Sequence, residues 1–124
     1  MIPLTTTLRI NGISSLATGL LLAIFPGVAA NISGVTATAP FVAVGLFLVV
    51  FASGVLFVAQ RPSPSAVKWI IRLDTVWVIG SAVAILFLFP LISGIGTLLI
   101  AGVALWVAAM AILQQKGMRS FATA

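Results

Sequence analysis

The chain has 124 residues, 62% of them hydrophobic and only 6% charged, with a formal net charge of +5 and a mean hydropathy of +1.35. A water-soluble domain of this size could not clothe itself in polar surface, so lipid must cover much of it as one integral membrane domain spanning residues 1–124. With no cysteine, no histidine and a single carboxylate, the sequence excludes disulfides, thiolate or imidazole chemistry, the usual metal and haem ligands, and paired-carboxylate catalysis.

Four apolar stretches follow one another, each long enough to cross about 30 Å of hydrocarbon at roughly 1.5 Å per helical residue. The first covers residues 8–25, and Pro26-Gly27 is expected to stop it. A small, uncharged polar loop then runs over residues 27–39. Pro40 opens the second span, residues 41–60, in the first-turn position where a missing N–H costs nothing. Arg61-Pro62-Ser63-Pro64-Ser65 breaks the chain sharply. The third span covers 66–89 and ends at Pro90. A tight reversal at Ser93-Gly94 leads to the fourth, 95–115, with Gly117 as its expected stop. Backbone groups in lipid must be bonded within the segment, so unbroken apolar runs predict an all-α, four-transmembrane-helix bundle.

The six basic residues divide unevenly between the two ends. Arg9, Arg61, Lys68, Arg72, Lys116 and Arg119 all fall at one end of the spans, and the other two loops carry no charge. The positive-inside rule therefore predicts a multi-pass protein of the bacterial inner membrane with both termini cytoplasmic. Cations at helix ends form no continuous stripe, so they read as topology signals and anionic-lipid contacts, with no nucleic-acid partner. Arg9, the apolar run 16–25 and Val28-Ala29-Ala30 imitate a cleavable secretory signal. A counterpart of the first span later in the chain argues for a retained helix. Asn31-Ile32-Ser33 matches a glycosylation sequon, read here as accidental.

That counterpart is an internal repeat. Arg9-Ile10-Asn11 overlies Arg72-Leu73-Asp74, Ala17-Thr18-Gly19 overlies Gly80-Ser81-Ala82, and Phe25-Pro26 sits one residue short of Phe89-Pro90. Gly45 matches Gly102, and Gln60-Arg61 matches Gln115-Lys116, more loosely. The pattern predicts two duplicated helical hairpins, parallel to one another about an axis along the membrane normal. Small residues four apart (Ser15 and Gly19, Gly80 and Ala84, Ala104 and Ala108) are expected to let helix backbones approach. Trp69, between Lys68 and Arg72, reads as an interfacial anchor; Trp77 and Trp106 lie deeper, as core or lipid-facing bulk.

Asp74, the sole carboxylate, lies inside the third span, where ionisable residues are costly and become functional candidates with a named partner. The expected partner is Arg9, with Asn11 as the repeat equivalent of Asp74. Ser14, Ser15 and Thr18 extend a polar strip along the first helix, and Arg72 can snorkel toward the headgroups. The candidate polar cluster is therefore Arg9, Asn11, Ser14, Arg72 and Asp74. It reads either as a shallow, water-reached clamp between hairpins or as a proton- or cation-responsive site. No residue is assigned a catalytic, cofactor-binding or metal-binding role.

The four-span plan, the paired Asn11 and Asp74 positions and the segment Asp74-x-x-Trp77-x-x-Gly80-Ser81 resemble the small bacterial inner-membrane proteins grouped near the DoxX-like and SPW-repeat families. The resemblance covers the whole chain in plan; the Ser-Pro-Trp signature of the second group is absent. DoxX-like proteins are associated with redox enzyme partners, although no residue here matches a redox motif. The resemblance implies a small accessory membrane protein. Two functions follow as expectations: a non-catalytic subunit that docks a membrane complex or its own copies, or an oligomeric transporter or channel built around Asp74 and Asn11.

Overall fold

Proline and serine punctuate the apolar runs and set where the helices begin. The computed structural model describes residues 3–123, with side chains to residue 119, and these form five helices and no strand. They are α1 (Leu4–Ile24), α2 (Pro26–Ile32), α3 (Ala39–Gln60), α4 (Pro64–Leu88) and α5 (Gly94–Thr123). Proline stands in the first turn of α2, α3 and α4. Ser63 caps α4, its Oγ accepting from the Ala66 backbone N–H at 3.3 Å.

Two expectations are corrected. Pro26-Gly27 does not lead into a loop: after a break at Phe25, Pro26 starts the short helix α2, because a fixed φ and a missing N–H suit a first helical position. Nor does Gly117 stop the last helix, which continues to Thr123. A Cβ at Gly117 would lie 3.1 Å from that of Leu4, so this glycine admits the start of α1 against α5.

The four long helices are each long and apolar enough to cross a membrane. Joined by short connections, they alternate in direction. α1 packs most extensively on α3, α4 packs on α5, and α1 also meets α5, whereas α3 and α4 touch least of the adjacent long helices. Around the bundle the order is thus α3, α1, α5, α4, with antiparallel neighbours and a loose α3–α4 seam. Aromatic stacking bridges that seam: the Phe47 and Trp77 rings lie 6.2 Å apart and nearly parallel, with an interplanar angle of 5°. Alternation also gathers Arg9, Arg61, Lys68, Arg72, Lys116 and Arg119 at one end of the bundle. Beneath that basic end, Leu4, Leu8, Val55, Ala59, Val67 and Ile70 make the apolar core. Outward-facing side chains are equally apolar, with Phe57 and Phe87 each 74% exposed and Leu105 73%. Such a surface suits hydrocarbon and not water.

The opposite end is tied through serine. The Ser93 backbone N–H donates to the Ser33 carbonyl at 2.8 Å, and the Ser93 hydroxyl donates to the Ile32 carbonyl at 2.7 Å. The same hydroxyl accepts from the Gly96 N–H at 3.0 Å and so caps α5. One side chain therefore starts a helix and joins the two uncharged connections.

α1 and α3 meet backbone to backbone at Gly19 and Gly45. A Cβ at Gly45 would lie 2.7 Å from both the Gly19 carbonyl oxygen and the Ala23 nitrogen; one at Gly19 would lie 2.8 Å from the Gly45 carbonyl oxygen. Gly80, expected to serve the same purpose, is exposed, and nothing stands within 4 Å of the place its Cβ would occupy. Contact through glycine supplies the van der Waals attraction that lipid cannot supply between helices. Gly45→Ala should therefore lower stability by about 1–3 kcal/mol, while Gly80→Ala should stay within about 0.5 kcal/mol of the wild type. Thermal unfolding in one mild detergent compares the two; equal melting temperatures would refute the close-contact assignment.

Candidate functional site

Three polar side chains from three helices meet inside the bundle. Asn11 comes from α1, Asp74 from α4 and Gln114 from α5, at 1%, 2% and 0% exposure. Asn11 Nδ2 donates to Asp74 Oδ2 at 3.1 Å and to Gln114 Oε1 at 2.7 Å. Gln114 Nε2 donates to the same Asp74 oxygen at 2.8 Å. The three bonds close a triangle in which each residue touches the other two. Ser15 joins from one turn further along α1, its hydroxyl donating to Asn11 Oδ1 at 3.3 Å.

Helix geometry decides which of the expected residues enter this cluster. Asn11 and Asp74 do. Arg9 and Arg72 each precede a cluster member by two residues, which at 100° per residue puts them about 200° around the helix. Both are exposed. The expected Arg9–Asp74 pairing is accordingly replaced by two amide donors, with Asp74 buried inside the bundle. Arg72 instead lies over the Trp69 ring, 5.3 Å from its centroid, and Trp69 is 60% exposed at the basic end. Ser14 stays beside the cluster without joining it. Its hydroxyl donates to the Asn11 carbonyl at 3.1 Å and accepts from Trp106 Nε1 at 3.0 Å. Thr18 returns its hydroxyl to the Ser14 carbonyl at 2.9 Å. The polar strip of α1 thus spends most of its bonds on its own helix.

Gln114 was not weighed from the sequence, although the signal was there. It shares a stripe with the buried Val107, Met110 and Gly117, at helical spacings of three and four. A polar residue on an apolar stripe requires a partner.

Beside the triangle lies a cavity of about 10 Å³, lined by Ser15, Asp74 and Trp77 among apolar side chains of α3, α4 and α5. That is about the room one water needs. Trp77 Nε1 is the one buried side-chain polar atom without a hydrogen-bond partner among the described residues. For a cation the chain offers a single carboxyl with amide and hydroxyl oxygens, and no thiolate or imidazole.

Comparison with protein-family models, curated proteins and solved structures finds no match. The arrangement must therefore be read from its own chemistry.

A closed triangle fixes the relative height and rotation of three helices, because sliding any one breaks two bonds. Its net stabilisation is modest, since interhelical side-chain bonds in lipid contribute about 0.6 kcal/mol on average. Breaking it halfway is much worse: a buried donor left unpaired costs about 1–3 kcal/mol. Asp74→Val strands an amide donor on both Asn11 and Gln114 and should lower stability by about 2–4 kcal/mol. Combining Asn11→Leu, Asp74→Leu and Gln114→Leu removes all the partners together and should recover most of that loss. Thermal unfolding in detergent reads both variants; a triple variant no more stable than Asp74→Val would contradict a structural triangle.

Proposed function

We propose that this chain is a small multi-pass protein of the bacterial inner membrane that works without catalysis, as an accessory or interaction subunit. Its termini and the connection around Ser63 face the cytoplasm, and its overall plan resembles that of DoxX-like and SPW-repeat-like proteins. The observation that carries this reading is the closure of the Asn11–Asp74–Gln114 triangle. Its members bond one another, their bonds are satisfied by short amide contacts, and the space beside them takes about one water. A bundle locked in this way presents fixed outer faces to neighbours in the membrane, which is what a docking subunit requires. The repeat fits the same picture: Asn11 and Asp74, its equivalent positions, meet across the bundle. The glycine crossing is not duplicated, since Ala82 and Gly102, the counterparts of Gly19 and Gly45, are exposed.

One observation favours the transporter reading. Asp74 shares its cavity with the Ser15 hydroxyl, a carboxyl and hydroxyl pair able to pass a proton through a bridging water, while the unpartnered Trp77 indole N–H can only donate to that water. Flux separates the two readings. The purified chain, reconstituted alone in liposomes, should give proton and potassium leaks equal to those of empty vesicles. Purified in mild detergent from its own membranes, it should carry a second membrane protein in fixed stoichiometry. A flux above background that Asp74→Asn abolishes would overturn the accessory reading. A reporter fused after Ser63 should read cytoplasmic.

A further inference from the structure

The loose α3–α4 seam widens at the basic end into a groove of about 340 Å³, lined by Phe57, Val58, Gln60, Arg61, Ser63 and Ala66. Its lining is divided by chemistry. Phe57 and Val58, on the last turns of α3, make an apolar wall; Gln60, Arg61 and Ser63, where the chain leaves the helix and turns toward α4, make a polar and cationic rim. The half-buried Ala66 leaves room between them. We propose that this groove is a specific site for one anionic phospholipid, its phosphate on Arg61 and its acyl chain along Phe57 and Val58.

Three observations support that occupant. The volume falls within the range of small-ligand sites, roughly 300–1,000 Å³, and suits a glycerophosphate group with the first part of a chain. The rim presents the donors a phosphate needs. Arg61 is exposed and its guanidinium can engage two phosphate oxygens at once. The Ser63 Oγ accepts from the Ala66 N–H and keeps its own proton to donate. Gln60 adds amide hydrogens.

The third observation is charge. No carboxylate lines the groove, and the one acidic side chain, Asp74, is committed to Asn11 and Gln114 in the interior. A zwitterionic headgroup would therefore bring its ammonium to a rim whose one charged side chain is Arg61, with no carboxylate to balance it. An anionic headgroup meets only attraction. Beyond the groove, Gly54 leaves open space on the outer side of α3, with nothing within 4 Å of a Cβ built there. A chain leaving the apolar wall can continue through that gap into the bilayer. This inference rests on membrane insertion alone and is independent of the accessory role, so either can fail without the other.

The test uses the full chain, delipidated in mild detergent and titrated with phosphatidylglycerol or phosphatidylcholine. Bound lipid is counted by native mass spectrometry and checked by the shift in melting temperature. One phosphatidylglycerol should bind per chain, and phosphatidylcholine should not displace it. Arg61→Gln should weaken binding roughly five- to tenfold. Ala66→Phe keeps every charge but fills the groove and should abolish the site. Lys116→Gln, at the same end of the bundle but outside the groove, should bind within twofold of the wild type. Equal losses in Arg61→Gln and Lys116→Gln would reveal diffuse attraction and overturn the proposal. So would full retention of lipid by Ala66→Phe, or effective competition by phosphatidylcholine.

Discussion

Hydrocarbon supplies no hydrogen bonds, so every polar group that leaves the membrane surface must find its partner inside the protein. The Asn11–Asp74–Gln114 triangle is how this bundle meets that constraint, and the rest of the architecture follows from accommodating it. Asp74 is 2% exposed, enclosed by the bundle and out of reach of bulk water. It needs donors from outside its own helix, because the backbone N–H groups of α4 are occupied. α1 and α5 deliver those donors. The helix that reaches Asp74 diagonally across the bundle, α1, is also the one held closest to α3 by Gly19 and Gly45. Small residues on one face and an amide on the other make α1 the element on which the remaining helices are positioned.

This division explains why one seam is looser than the others. α1 contacts α3 by backbone approach and α5 through both apolar packing and the Asn11–Gln114 bond; α4 contacts α5 along its length and through Gln114–Asp74. Nothing polar joins α3 to α4. That seam is filled by the stacked rings of Phe47 and Trp77, with Phe51 stacked on Phe47 at 6.1 Å, and toward the basic end by Val55 and Ala59 in one apolar cluster with Val67 and Ile70. Both cavities of the molecule described above open along it, one beside Asp74 and one at Arg61. The amide triangle thus ties three helices together, while α3 is held by its glycine contact with α1 and by apolar and aromatic packing against α4.

Much of the fold was legible because span length in lipid depends on apolar content, which a single sequence displays directly. The four spans and the gathering of cations at one end needed no knowledge of packing. Short-range chemistry was harder to read. Pro26-Gly27 signals a stop and a start equally well, and Val28, Ala29 and Ala30 are ordinary helix residues once a first turn exists. Gly117 serves as a packing notch because Leu4 lies opposite it, a fact no local pattern contains. At the site, charge complementarity pointed to Arg9 as the partner of Asp74. Helical phase overrules charge there, since a residue two positions from Asn11 faces the other way. Applying the same phase argument along the last span would have raised Gln114, the polar member of a buried stripe.

The partners chosen for Asp74 carry a further consequence for what the cluster can do. An arginine would fix a permanent charge pair whose strength depends on low dielectric, whereas two amides offer direction without net charge. Both amide donors converge on one carboxyl oxygen, Oδ2, and the side chain also borders the cavity shared with Ser15 and Trp77. Two amides on one oxygen hold the carboxyl in place from α1 and α5, and the small cavity it borders is lined by all four long helices, beside the Phe47 and Trp77 rings that bridge the loosest seam of the bundle.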